Sequence, residues 1–305
     1  MHVAKKSLKS SPKSIAEKAD SRSLFPEFRK LYISEIPQED KSQIAAQNLE
    51  QLINRQFELA EKKSSAPFTV QAGNPDKQSW GWDGPNTVLS VIFDDMSFVI
   101  DSVTALLTER GFRIENTFHP LMYIKRGKRG KIEAISENGH DGYGSEGFLY
   151  IELARRLTPE QISTLEKDLM KVLEDVRLAT KDWQAIKGKV RETHSGLKSA
   201  PNVAFDDLQE YLEFVNYLHD DNFTLLGYKY YKAVKRGSKT GFEPQNETGL
   251  GLLSPERDKS FLNGEEKTFF ETNPVKDNLP PLFVNKIAIN SPVHRRVPVD
   301  MVVIR

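Results

Sequence analysis

Seven consecutive residues, Thr87-Val88-Leu89-Ser90-Val91-Ile92-Phe93, are β-branched or apolar apart from one serine. Such a run packs well on a pleated surface, and it predicts a buried strand. The residues after it build a unit around that strand. Asp94, Asp95 and Ser97 are turn and N-cap residues. Phe98 to Arg110 carries Val99, Val103, Leu106 and Leu107 at helical spacing, and Gly111 stands where a C′ residue takes positive φ. A second strand is expected from about Phe112 to Lys125, with Pro120 at a bulge or edge. A third is Phe148-Leu149-Tyr150-Ile151-Glu152-Leu153. Residues 126–147, rich in glycine and charge, read as a hairpin loop or insertion.

Thr158-Pro159-Glu160-Gln161 then opens a helix. Thr158 caps, proline suits the first helical position, and Gln161 completes a capping box. Ile162, Leu165, Leu169, Val172, Val176 and Ala179 form its apolar seam, which continues through Trp183, Ile186 and Val190. The steps alternate between three and four, so the seam predicts one long helix that outruns its sheet. Trp183, Ile186 and Val190 are therefore candidate interface residues. The order β-α-β-β-α is the start of a ferredoxin-like α/β sandwich.

The flanks are less regular. The Lys/Ser-rich start is expected to be a disordered tail over residues 1–23. Residues 24–66 form an N-terminal helical segment, with Leu49, Leu52, Ile53, Phe57 and Ala60 on one face between Asp40 and Lys63. The α/β unit with its extended helix occupies 67–192, and 193–205 is a linker. A second mixed α+β domain, 206–305, starts on a helix capped by Asp206, with Leu208, Leu212, Val215 and Leu218 on one face. Strands are expected within Phe223–Val234, Pro281–Ile289 and Val297–Ile304, with loop between 235 and 278. The chain stops inside the last of these, which suggests a truncated domain.

Composition narrows the function. The chain has 305 residues, 43 Lys+Arg against 43 Asp+Glu, and no cysteine. Balanced charge argues against nucleic acid as a partner. The absence of cysteine excludes disulfides and thiolate chemistry and fits a cytoplasmic location. No apolar run approaches the roughly twenty residues of a membrane helix, and the basic start lacks the apolar core of a secretory signal. Gly249-Leu250-Gly251 lacks the third glycine of a dinucleotide-binding turn and reads as a loop. The six histidines show no metal-ligand spacing. His119 reads as a hydrogen-bonded structural residue, and His219-Asp220-Asp221-Asn222 as a helix end. His294, Arg295 and Arg296 are a compact basic cluster, open to two readings: an anion contact or a solvated hairpin turn. Trp80 and Trp82 cover either the sheet or an interface. No catalytic, cofactor or metal residue is identified.

The segment VIFDDMSFVIDSVTALLTERGFRI resembles an ACT domain, a small regulatory module that often binds amino acids near its first strand–helix loop. By that resemblance Asp94, Asp95, Met96 and Ser97 form a possible effector loop, although they lack the Pro and Gly of the usual ACT turn. Five blocks in order, DDMSFVIDSV, FHPLMYIKR, LEDVRLATKDWQ, LHDDNFTLLGYKYY and NSPVHRRVPVD, resemble the large NAD-dependent glutamate dehydrogenases of bacteria. The resemblance implies an ACT-like domain followed by a PAS-like one. It implies a non-catalytic regulatory and assembly segment, with NAD used only in the full-length parent. Its partners would be downstream modules and the catalytic domain of the same polypeptide, other copies in a homo-oligomer, and an amino-acid effector. The alternative is a free-standing ACT/PAS-type small-molecule sensor.

Overall fold

The computed structural model describes residues 21–63, 66–198, 205–236, 239–257, 260–262, 264–265, 270 and 281–305. Most of the tail expected over 1–23, and part of the expected linker, lie outside the described residues.

The architecture is mixed α+β without barrel closure. Three helices lead: α1 (Phe25–Ser34), α2 (Gln38–Gln43) and α3 (Ala46–Lys62). The expected single helix from Asp40 is thus two, because Ile44 takes extended backbone between them. Strand β1 (Phe68–Gly73) comes next, then β2 (Val88–Asp94), α4 (Val99–Glu109), β3 (Ile114–Phe118) and β4 (Leu121–Arg126). After these come β5 (Ile132–Ser136), β6 (Gly144–Leu153) and the helix α5 (Pro159–Lys181). The sheet is antiparallel in the order β1-β2-β6-β4-β5, and β3 also pairs with β6. Strands β3 and β4 are one strand interrupted at His119-Pro120, where the Phe148 N–H donates to the Pro120 carbonyl (2.9 Å). Proline has no N–H for the ladder, so the break falls where it costs least.

The edge beside β2 is filled by β1, which precedes the β-α-β-β-α unit in the chain. The N–H of Ala72 on that edge donates to Glu166 of α5 (2.8 Å), so the helix partly covers it. Residues 126–147 are not simply a loop. Ile132 on β5 is buried, and Ile135 packs against the same cluster.

Both faces of the sheet are covered, giving three layers. Helices α4 and α5 lie on one face, with Val103, Leu107, Leu169 and Val176 against Leu89, Val91, Leu149 and Ile151. Helices α1 and α3 lie on the other, where Phe28, Tyr32, Ile53 and Phe57 meet Ile92, Phe118, Met122 and Phe148. This explains why β2 is buried at every position except Asp94. Trp80 and Trp82 belong to the second cluster, edge to face at 5.6 Å, with the Arg55 guanidinium over Trp80. They therefore cover the sheet within this chain.

The capping box at Thr158 and Gln161 is present, with Pro159 in the first turn. The long seam, however, is not one helix: α5 ends at Lys181, and α6 (Trp183–Leu197) starts after Asp182. Neither proline nor glycine causes the break. Asp182 Oδ2 accepts the N–H of Gly251 (2.9 Å), a tertiary contact from the second unit.

That unit comprises α7 (Phe205–His219), the hairpin β7 (Gly227–Arg236) and β8 (Lys239–Gly251), and the hairpin β9 (Leu282–Asn290) and β10 (Pro298–Ile304). Each hairpin is its own two-stranded sheet among the described residues. The stretch expected to be loop thus contains a long strand, β8, despite Gly241, Pro244 and Gly249. Pro244 is tolerated because a two-stranded sheet has an open edge on either side. The two units share a core, in which Leu252, Ile287 and Val293 join the α4–α5 cluster. Arg257 clasps buried Asp175 of α5 with two hydrogen bonds (2.7 and 3.1 Å).

Ile186 is buried, and Val190 packs on the Leu197–Leu212–Val215 cluster that joins α6 to α7. Trp183 is 39% exposed and meets Lys187, whose ammonium lies 5.0 Å from the ring centre. Ile186→Ala is therefore expected to destabilise the chain by about 2–5 kcal/mol, the usual cost of emptying a buried isoleucine site. Trp183→Ala removes a partly covered ring and an exposed cation–π contact, and should cost about 1–2 kcal/mol. Urea unfolding of the two variants checks the contrast, and equal losses would refute it.

Candidate functional site

The start of α4 brings together two regions that lie far apart in sequence, the loop 94–97 and the turn 291–297. The N-cap of α4 is Phe98, not Ser97, and it makes no side-chain cap. Phe98 has φ 71°, and His294 in the β9–β10 turn has φ 64°. A non-glycine residue in this left-handed region costs about 1–3 kcal/mol and persists only where its surroundings hold it. Ser102, fully buried on the first turn of α4, holds both. Its N–H donates to the Phe98 carbonyl (2.9 Å), and its Oγ accepts the His294 N–H (2.9 Å). The two rings lie 4.9 Å apart, tilted by 33°. The basic cluster thus lies on a hairpin turn, and that turn is pinned to α4.

Around this pin the charges are paired across the seam. His294 Nε2 lies 3.6 Å from Asp101 Oδ2. Arg296 Nε is 3.3 Å from Glu109 Oε2, and its Nη1 donates to the Ser291 carbonyl (3.1 Å). Between α4 and the turn is an open cleft of about 720 Å³, walled by Thr104, Thr108 and Glu109 on one side and by Asn290, Arg295 and Arg296 on the other. A smaller hollow of about 240 Å³ lies beside it, bounded by Asp95, Met96, Phe98 and His119. His119 is exposed there and makes no side-chain hydrogen bond among the described residues, contrary to its expected structural role.

The loop 94–97 is largely engaged with the protein. Asp94 accepts from Lys63 Nζ (2.6 Å). Its N–H donates to the Pro67 carbonyl (2.7 Å), and that of Asp95 to the Ser145 carbonyl (2.9 Å). Asp95 Oδ2 accepts from Ser145 Oγ (3.1 Å). Two N–H groups at the strand–helix junction are thereby unavailable to an incoming carboxylate. Behind Asp94 sits a buried charge network. Lys63 and Glu146 are nearly inaccessible and 3.7 Å apart, and Arg126 binds Glu146 with two hydrogen bonds (2.5 and 2.7 Å). The same guanidinium donates to the carbonyls of Ala60, Lys63 and Gly130.

Gly249-Leu250-Gly251 lies at the end of β8, opposite Gly227, and not at a strand–helix turn. A Cβ at Gly249 would collide with the Leu253 carbonyl oxygen, and one at Gly251 with the Leu226 carbonyl oxygen. These glycines admit the chain's own backbone, so the residues present do not fit a pyrophosphate. His219 ends α7, and Asp221, with φ 61°, binds Lys187. Among the described residues no three acidic or histidine side chains cluster as metal ligands, and no helix is long and apolar enough to cross a membrane.

Sequence reasoning missed Ser102, Asp175 and Asp182, which hold the units together. Asp175 carried a signal, an acid between Leu173 and Val176 on a helix already apolar on one face. Ser102 carried none.

The covered sheet and its two helices define an ACT-like domain: residues 28–169 match the family described as "Glutamate dehydrogenase, ACT1 domain". That span includes α3 and most of α1, so the helices on the far face of the sheet belong to the matched unit. The chain is similar to the NAD-specific glutamate dehydrogenase of Pseudomonas aeruginosa, 29% identical over 189 residues, or 60% of this chain and 12% of the relative. Against that of Halomonas elongata it is 26% identical over 234 residues, 74% of this chain and 14% of the relative. Against that of Mycobacterium tuberculosis it is 27% identical over 179 residues, 56% and 10% of the two chains. The chain thus spans only a small part of the length of these relatives.

Proposed function

We propose that this chain is a regulatory and assembly segment of an NAD-dependent glutamate dehydrogenase. The observation that carries the reading is the similarity to the Halomonas elongata enzyme over 234 residues. A stretch of that length is longer than the ACT-like match over residues 28–169, so the likeness is not to one widespread module alone. In this reading the second unit, from about Asp206, is the PAS-like portion. The parent oxidises L-glutamate with NAD and water to 2-oxoglutarate, ammonia and NADH in the cytoplasm. It does so as a homo-oligomer whose catalytic domain lies elsewhere on the polypeptide. The engaged N–H groups of Asp94 and Asp95 make the loop 94–97 a weak place for an amino-acid effector. The shared core of the two units suits a rigid arm that positions other modules.

The expected result is that the purified chain forms no NADH from glutamate and NAD. A parent polypeptide lacking these residues should keep NAD binding and change in subunit assembly or in its response to effectors. Turnover by the chain itself above a heat-killed control would overturn the reading, as would a parent whose assembly and regulation survive the deletion unchanged.

A further inference from the structure

We propose that the cleft between α4 and the β9–β10 turn binds a small molecule bearing a phosphoryl or carboxylate group, and that this ligand clamps the second unit onto the first. The inference stands on the seam alone and is independent of the family reading.

Each carboxylate in the cleft already faces a cationic or ionisable partner: Asp101 faces His294, and Glu109 faces Arg296. What is left over is donor capacity. Arg295 is exposed at the cleft wall, and its guanidinium meets no acceptor among the described residues. Arg296 Nε is buried and lies within ion-pair distance of Glu109, but the direction of the contact makes no hydrogen bond, so its N–H lacks an acceptor. That nitrogen has almost no accessible surface, so a ligand in the cleft would meet the Nη groups of the same guanidinium, of which Nη2 makes no hydrogen bond among the described residues. Thr104 and Thr108, one turn apart on α4, and the Asn290 amide add neutral donors around the same space. Arginine side chains on one wall with neutral threonine donors on the other suit an oxyanion, because the planar fork of arginine matches carboxylate and phosphate oxygens in pairs. The cleft, about 720 Å³, falls within the roughly 300–1,000 Å³ of small-molecule sites.

The clamp follows from where the walls come from. Thr104, Thr108 and Glu109 belong to the ACT-like unit, while Asn290, Arg295 and Arg296 belong to the second. A ligand that touches both walls binds only while they are apposed, so it stabilises the apposed arrangement by mass action.

The test is calorimetric titration of the chain, in low-salt buffer, with inorganic phosphate, pyrophosphate and citrate as separate probes. Saturable binding of at least one is expected. Binding of the phosphates alone assigns a phosphoryl ligand, and binding of citrate alone a carboxylate one. Arg295→Ala removes a side chain that holds nothing in the fold, so it should leave the unfolding midpoint unchanged and weaken the probe by about tenfold or more. Lys30→Ala, on the far face of the sheet, should leave the affinity unchanged. In hydrogen exchange the bound probe should slow residues of α4 and of 290–298 together. No saturable binding at millimolar probe, an affinity indifferent to Arg295→Ala, or protection confined to one wall would each overturn the proposal.

Discussion

Arg126→Met is expected to destabilise the chain by about 3–5 kcal/mol, the cost of breaking a buried ion pair by removing one partner. The Arg126 side chain is 14% exposed and that of Glu146 only 4%. Methionine matches the aliphatic stem and removes every donor. Among the described residues Glu146 then keeps only Lys63, at 3.7 Å, and three carbonyls, of Ala60, Lys63 and Gly130, lose a shared guanidinium. Because those carbonyls lie at the end of α3 and at the β4–β5 connection, the loss should be felt as release of α3 from the sheet. Urea unfolding followed by far-UV circular dichroism gives the magnitude. Hydrogen exchange gives the place, with faster exchange expected in α3 before α4. A loss below about 1 kcal/mol, the scale of an exposed pair, would show that the network is solvated and the buried-pair account wrong.

Phe28→Ala should cost a similar amount, about 3–5 kcal/mol, for a different reason. Phe28 is fully buried, and its ring lies 5.1 Å from both Phe57 of α3 and Phe148 of β6, and 5.7 Å from Tyr32. It is the point where α1, α3 and the sheet meet. Truncation leaves a cavity bounded by three aromatic rings that cannot close over it without moving a helix. The cost should therefore lie near the upper end of the range, and α1 should become sensitive to protease at its exposed Arg29 or Lys30. Phe28→Leu, which keeps most of the volume, should lose less than half as much. If alanine and leucine are equally harmful, the site depends on aromatic geometry and not on filled space.

What is legible in the sequence is local. The strand at Thr87–Phe93, the capping box at Thr158 and the positive φ of Gly111 each depend on residues within a few positions of one another, and all three are present. The stripe of Phe28, Leu31 and Tyr32 in α1 is readable on the same terms, but it lies beside a polar tail that masks it. Long-range causes are not readable. Where the helix breaks, Asp182 accepts the Gly251 N–H from the second unit, and nothing near residue 182 signals that partner. The His294 cluster is visible as a turn, but its partner Ser102 stands 192 positions away. Residues 239–251 read as loop because glycine and proline mark breaks, yet in an open-edged hairpin they are tolerated.

The strand on the edge beside β2 comes from upstream, and this matters when the chain is being made. Synthesis proceeds from the N-terminus at about 5–20 residues per second. By the time Leu153 has been added, every strand of the six-stranded sheet and the helices for one of its faces exist. The sheet can pair without waiting for any later residue. The opposite face cannot be finished so early: it needs α5, and its outer surface then needs Leu252, Ile287 and Val293, which arrive about a hundred residues later. The nascent chain therefore passes through an interval in which one side of the domain is dressed and the other carries α4 alone. An apolar surface open for that long invites wrong partners, including a neighbouring copy emerging from the next ribosome.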